Sequence, residues 1–222
     1  MRGRAAVGAA LAAALLAGCA GETAPPPART TTAPRPAPSS TPLEPAQVER
    51  LKKTMIPLLR VMNQPRSPSQ VKVGILDDPA INAASAGNGE FLVTTGLLRK
   101  ASDDQLLAVL AHEVAHEDLG HVAKAQALGA GLGIGAIILD QIIPGSGRVT
   151  PIAGALIARS YSRTEEYQAD QHGVELLKRL GRSKDVLITT LTWLMSTEGS
   201  GGGGFFSTHP ATGDRIEALR RP

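Results

Sequence analysis

Ala111-His112-Glu113-Val114-Ala115-His116-Glu117 carries two histidines four positions apart with a glutamate directly after the first, an HExxH pattern. At ~3.6 residues per turn, four positions turn through about 400°, so on a helix both imidazoles leave one face and can share a tetrahedral ion. Glu113 stands beside the first of them. From there a carboxylate can reach a water polarised by the ion without binding the ion itself, which is the general-base place in zinc sites of this pattern. The spacing therefore predicts a helix that carries a zinc site, one Zn2+ per chain, with His112 and His116 as ligands. A solvated helix with incidental histidines is the bland alternative, and a chain with 5 histidines in 222 residues does not favour it. Such a site needs a third protein ligand, to be sought downstream.

Working outward, Ser102-Asp103-Asp104-Gln105 reads as an N-cap with Gln three residues on, opening a helix through Leu106, Leu107, Val109, Leu110 and Val114. Gly120 is the expected end. On a continuous helix His121 lies ~180° from His112, so it is not expected to be a ligand. A metzincin arrangement needs Gly at 119 and His at 122, where this chain has Leu119 and Val122. Upstream, Ile81 to Ala86, the turn Gly87-Asn88-Gly89 and Phe91 to Thr95 form a hairpin pattern. Its residues Asn82, Ala83 and Ala84 are candidates for an exposed edge to which an extended peptide adds as a strand; a plain structural hairpin is the other reading. Val71, Val73 and Ile75 alternate as a strand does, and Leu51, Met55, Leu58, Leu59 and Met62 recur at helical spacing, with Pro57 as an expected kink or break.

Downstream, residues 127–143 are apolar apart from Asp140 and Gln141, and Gly129, Gly131, Gly133 and Gly135 fall at every second position. A buried helix or helical hairpin, a membrane-contacting surface and a mobile lid are the three readings of this stretch. Thr150-Pro151 has the form of a cap and first-turn proline, which predicts a helix from there to Gly181. That helix carries Glu166 and Asp170, four apart and on one face. One of them can bind the ion while the other orients a ligand histidine by accepting its second N–H.

The N-terminus reads differently. Arg2 and Arg4 precede an apolar run from Ala5 to Ala17, as in an export signal over residues 1–18. Leu16-Ala17-Gly18-Cys19 resembles a bacterial lipobox, in which the cysteine carries lipid, and Cys19 is the only cysteine in the chain. Lipid on Cys19 would hold the chain on a membrane surface, and no intrachain disulfide is possible. Residues 19–45 are rich in Pro, Thr and Ala and lack the apolar content to fold, so they are expected to form a tether before a domain at 46–222. The net charge of +3 is small and owes much to Arg2 and Arg4, so nucleic acid is not an expected partner.

HExxH, the downstream Glu-x-x-x-Asp helix with Ser162-Arg163 before it, and a hairpin ending Val93-Thr94-Thr95-Gly96-Leu97-Leu98 together resemble metallopeptidase family 48, the family of the HtpX-type and CAAX prenyl endopeptidases. The resemblance covers roughly residues 71–219. It implies that His112, His116 and Glu166 bind zinc, that Glu113 is the general base, and that Asp170 supports a ligand from behind. Ser207-Thr208-His209-Pro210 and Arg215-Ile216 resemble the family's His-Pro-x-x-x-x-Arg element. This implies that His209 lies near the metal and stabilises the oxyanion, with Arg215 supporting it or a nearby carboxylate; a residue leading into a helix at Thr212 is the plainer reading of His209. His172 receives no role. The sequence lacks the flanking transmembrane helices of the integral-membrane members and resembles the exported lipoproteins of the family. The glycines of 199–204, next to His209, suggest a flexible loop able to gate the cleft or displace His209.

The expected fold is α+β and mainly helical, a zincin-like (gluzincin) domain with a small β-sheet beside the HExxH helix. The expected activity is zinc-dependent cleavage of protein or peptide substrates, those implied by the resemblance being misfolded or misassembled proteins of the bacterial cell envelope. The rival is a non-proteolytic envelope chaperone or binding module that keeps the metal fold; a third reading is a lipoprotein whose domain only scaffolds an assembly.

Overall fold

The computed structural model describes residues 44–123, 160–198, 204–210 and 213–221. The signal at 1–18, Cys19 and its tether, the 127–143 segment, Thr150-Pro151 and the glycines of 199–203 lie outside the described residues. Among the described residues no helix is long and apolar enough to cross a membrane.

The chain enters through helix α1, Pro45–Arg60, which buries Leu51, Met55, Leu58 and Leu59 and continues past Pro57 without ending there. Strand β1, Lys72–Leu76, follows, then β2, Ala83–Gly87, and β3, Glu90–Thr94. Asn88 and Gly89 join the last two with φ of 55° and 78°. A two-residue hairpin turn of this kind needs positive φ at both positions, which Asn-Gly supplies with least strain. The sheet runs β1-β3-β2, with β1 parallel and β2 antiparallel to β3, so among the described residues β2 is an edge strand. The parallel pairing of β1 with β3 is a non-local arrangement that the alternating pattern at 71–75 does not reveal.

Helix α2, Thr95–Lys100, is capped by Thr94, whose hydroxyl accepts the Leu97 N–H. Helix α3, Asp103–Asp118, opens with the expected capping box: Ser102 accepts the Gln105 N–H, and the Gln105 side chain accepts the Ser102 N–H at 2.7 Å. The Arg50 guanidinium closes this corner, donating to the carbonyls of Leu98 and Ala101, the last turn of α2, and to the Asp103 carboxylate. From Ala108 to Glu117 every residue of α3 is buried, because α1, β2 and two later helices surround it. A helix enclosed on all sides has little amphipathic character, and its polar residues are then there for a reason other than solvation.

The first of those later helices is α4, Arg163–Arg179. It begins at Ser162, not at Thr150-Pro151: residues 160–162 are not helical, and Ser162 is extended at ψ 156°. The physical reason is a capping box, in which Ser162 accepts the Glu165 N–H and Glu165 accepts the Ser162 N–H at 2.9 Å. Gly173 sits where α4 crosses α3, with the backbone of Ala111 and His112 3.6 Å from the position a Cβ would take. Helix α5, Asp185–Glu198, buries Leu187, Leu191 and Leu194, and α6, Gly213–Arg220, packs on α4 and α5. Asp118, at the end of α3, accepts the N–H groups of Asn63 and Gln64 and meets His172 Nε2 at 2.7 Å, tying three elements together. His172 is thus a buried packing residue.

Candidate metal centre

Three elements converge on one face of α3. His112 and His116 project from that helix, Glu166 from α4, and His209 from the segment after the 3-10 turn at Gly204–Ser207. All four side chains are buried, and their donor atoms lie within 4.8 Å of one another. His112 Nε2 and His116 Nε2 are 3.1 Å apart. Glu166 places Oε2 3.4 Å from His112 Nε2 and Oε1 3.4 Å from His116 Nε2. His209 Nδ1 is 3.2 Å from His112 Nε2 and 3.0 Å from Glu166 Oε1. Zinc bonds of 2.0–2.1 Å in a tetrahedron keep donor atoms about 3.3 Å apart, so these side chains stand at the spacing that such an ion requires.

Charge points the same way. Three buried carboxylates, Glu113, Glu166 and Asp170, face one buried guanidinium, Arg215. With the imidazoles neutral, the form that binds a metal, the imbalance is two negative charges, and a divalent cation would neutralise it. Burial favours the neutral form of His209, yet Glu113 and Glu166 push its pKa up to about 10, because the carboxylates draw a positive charge to this position. His116 is held the other way, lowered to about 3 by burial and by its neighbours His112 and His209, and a neutral imidazole is the form that binds a metal. Burial raises the Glu166 carboxyl, but His209 and the hydrogen bonds from the histidines hold it well below the usual carboxylate range.

Behind the donors stands a second layer. Asp170, one helical turn after Glu166, puts Oδ1 3.1 Å from His112 Nδ1. Arg215 grips Asp170 with a two-pronged bond, Nε to Oδ2 and Nη2 to Oδ1, each 2.7 Å, and its Nη1 stands 2.5 Å from Glu166 Oε2. Arg215 therefore meets the two carboxylates of α4. Asp170 is held below its ordinary range because the Arg215 charge and hydrogen bond outweigh burial, which acts to raise it.

Glu113 points to the opposite side, toward the sheet. Its Oε2 accepts the backbone N–H of Ser85 on β2 at 2.9 Å, and its Oε1 lies 3.1 Å from His209 Nε2. Burial acts against its ionisation, but the neighbouring His209 lowers its pKa and keeps it a carboxylate. One turn on, Glu117 accepts the Gly89 N–H at 2.7 Å and an Arg66 N–H at 2.8 Å through Oε1, and the Ser85 hydroxyl through Oε2. Two carboxylates on one face of α3 thus hold the edge strand. Asn82 adds a third tie, its Oδ1 accepting the Ala83 N–H at 2.8 Å, with the Thr208 hydroxyl 3.5 Å away. Asn82, Ala83 and Ala84, expected on an exposed edge, are instead buried, because α3 packs against β2.

His209 is stacked between Phe205 and Tyr161, with ring centroids 4.3 and 5.1 Å away, and Tyr161 also stacks on His116 at 3.8 Å. His209 consequently closes the fourth side of the donor set. Ser85, Glu117 and Tyr161 do not stand out in the sequence. A visible signal existed for Glu117, four residues after Glu113 on the same helical face; Ser85 and Tyr161 act through contacts that only the fold creates. His121 is not among the donors and lies behind His116.

A buried helix with HExxH, a carboxylate from a second helix and an edge strand alongside define a zincin-like metallopeptidase domain. Comparison with known proteins makes this specific. Residues 43–222 match Peptidase family M48, and the chain belongs to that family. It is similar to the metalloprotease YcaL of Escherichia coli (strain K12), 29% identical over 165 residues that make up 69% of this chain and 62% of that protein. It is also similar to the mitochondrial metalloendopeptidase OMA1 of Bos taurus, 32% identical over 167 residues, 67% of this chain and 32% of that protein. The protease HtpX of Xylella fastidiosa (strain M12) is 29% identical over 219 residues, 72% of this chain and 76% of that protein. The chain thus spans less than two thirds of the length of YcaL and of OMA1.

Proposed function

We propose that this chain is a zinc-dependent endopeptidase that cleaves polypeptides laid in extended form along β2, with His112, His116 and Glu166 holding the ion. One observation carries the reading: Glu113 reaches from the donor cluster to the Ser85 N–H of the edge strand, at 2.9 Å. A peptide that adds to β2 beside Ser85 comes within reach of the same carboxylate, so peptide and base come together at one strand. The names of the relatives, metalloprotease, metalloendopeptidase and protease, support the same activity. The cluster of imidazoles and carboxylate favours zinc among divalent ions.

When bound, the ion supplies Lewis acidity toward a carbonyl oxygen and toward water. Glu113, ionised in its buried place, takes the proton of the attacking water and delivers it to the leaving amine nitrogen. Asp170 Oδ1, 3.1 Å from His112 Nδ1, favours the proton on that nitrogen, which leaves Nε2 free to donate its lone pair, and Arg215 keeps Asp170 in place. Ser85 N–H holds the Glu113 carboxylate against β2, and Glu117 keeps Ser85 and the turn at Gly89 fixed against α3. His209 stabilises the oxyanion, once the segment carrying it has opened the fourth side of the donor set.

Lipid on Cys19 holds the enzyme on a membrane of the bacterial cell envelope, and its substrates are misfolded or misassembled envelope proteins. These two statements rest on the lipobox-like run at 16–19 and on the family resemblance. The rival, a binding module or chaperone that keeps the metal fold, is favoured by the closed position of His209. Incubation of the full chain with casein, beside its Glu113→Gln variant, separates them. Cleavage by the unmutated chain alone supports the enzyme; equal cleavage by both removes Glu113 from the base role; cleavage by neither supports the binding module.

A further inference from the structure

We propose that His121, itself oriented by Gln168, is the positioning residue for His116: it accepts the Nδ1–H of His116 and so fixes the tautomer and ring orientation of that donor. The inference rests on the metal-site reading above and adds a residue to it.

The assignment follows from where protons can be. His116 turns Nε2 toward His112 Nε2 at 3.1 Å and Glu166 Oε1 at 3.4 Å, so Nε2 is its donor atom and must keep its lone pair. A neutral imidazole carries one N–H, which places the proton of His116 on Nδ1. That Nδ1 stands 2.9 Å from His121 Nδ1. Only one proton fits between two nitrogens at this distance, and since His116 supplies it, His121 Nδ1 is the acceptor. The proton of His121 is then on Nε2, where Gln168 Oε1 lies 3.2 Å away and can accept it. Gln168 to His121 to His116 is a chain in which each polarity fixes the next.

Local structure explains how His121 comes to be there. Continued as a helix, α3 would carry residue 121 to the face away from His112. Gly120 instead adopts a φ of 67°, a conformation open to glycine at little cost, and a new helical turn starts at His121. The reversal brings the buried His121 ring to 5.0 Å from that of His116, centroid to centroid, at 70°. Tyr161 stacks on His116 as well, so the imidazole is constrained by a ring stack and by a hydrogen bond in its own plane. The two histidine donors of α3 are supported unequally: His112 by the Asp170 carboxylate, His116 by a neutral ring. A neutral support at His116 adds no further negative charge to a cluster whose excess already matches a divalent ion.

The test is zinc affinity, measured on the full chain by competition with a chromophoric chelator. His121→Leu keeps an apolar side chain in the space but cannot accept, and is expected to weaken zinc binding on the order of 10- to 100-fold. His121→Asn places Oδ1 where Nδ1 was and is expected to stay within roughly threefold of the unmutated chain, since the acceptor is restored. Equal affinity for His121→Leu and the unmutated chain overturns the proposal, and so does an equal loss in the Leu and Asn variants, which would make the role one of shape. Should His121→Leu not fold, the ring 15N resonances of the unmutated chain decide. His116 protonated at Nδ1 and His121 at Nε2 is the result expected, and the opposite tautomer at either ring overturns it. Failure of the unmutated chain to bind zinc at all overturns the metal-site reading and this inference with it, and is thereby distinct from the other outcomes.

Discussion

Replacing Arg215 by Met tests how much the layer behind the donors contributes. The Arg215 side chain is 2% exposed and stands against two carboxylates, Asp170 through a two-pronged bond and Glu166 at 2.5 Å. Methionine occupies a similar volume without charge, so the substitution leaves both carboxylates buried and their nearest cation gone. Breaking one partner of a buried pair in this way costs about 3–5 kcal/mol. For a chain of this size 1 kcal/mol corresponds to about 2–4 °C, so the thermal midpoint should fall by roughly 6–20 °C. The assay is thermal unfolding in the presence of a strong chelator, which weighs the side chains alone. Asp170→Asn in the Arg215→Met background should return part of the loss, because it removes one of the stranded charges; the two changes are in contact and should not add. The pH dependence has a definite sign. Asp170 is depressed in the folded chain, so its pairing stabilises fully above its unfolded pKa of about 4 and loses that contribution as pH falls toward its folded value. The gap between Arg215→Met and the unmutated chain should therefore narrow as pH falls below about 4. A loss under about 1 kcal/mol at neutral pH, or a gap that widens in acid, would refute the reasoning.

Other outcomes follow from the same geometry. His209→Ala should keep its metal and lose on the order of 100-fold in kcat if His209 stabilises the oxyanion; a faster variant would show instead that this ring only closes the donor set. Glu117→Ala strands the Gly89 N–H and removes the partner of the Ser85 hydroxyl, which should cost about 2 kcal/mol of stability. Because it loosens β2 and leaves Glu113 in place, it should raise KM for a peptide substrate more than it lowers kcat; steady-state kinetics beside an unfolding curve check both.

What the sequence disclosed was local. Ser102 with Gln105, Asn88-Gly89 at the turn and the four-residue spacing of His112 and His116 each state their structure within a few positions, and each is found as read. Thr150-Pro151 and Ser162-x-x-Glu165 both resemble helix starts, and the reciprocal bonds of the second are what open α4. Helix α5 is hidden from a local reading: Leu187-Ile188-Thr189-Thr190-Leu191-Thr192 has the composition of a strand. The threonine hydroxyls there turn back to carbonyls of the preceding turn, Thr189 to Asp185, Thr190 to Val186 and Thr192 to Ile188, and the buried leucines hold the helix in spite of β-branching. The pairing of β1 with β3 and the grip of Glu117 on β2 join residues far apart in sequence. Helical arithmetic sets His121 aside as a ligand and, continued through Gly120, also conceals its contact with His116.

The most direct test of the central claim is the metal content of the purified full chain, measured by elemental analysis beside casein hydrolysis, for the unmutated protein and for Glu166→Ala. The account predicts close to one zinc per chain and cleavage in the first, and loss of both in the second. Cleavage by a chain that carries no metal, or an undiminished zinc content after removal of Glu166, would contradict it.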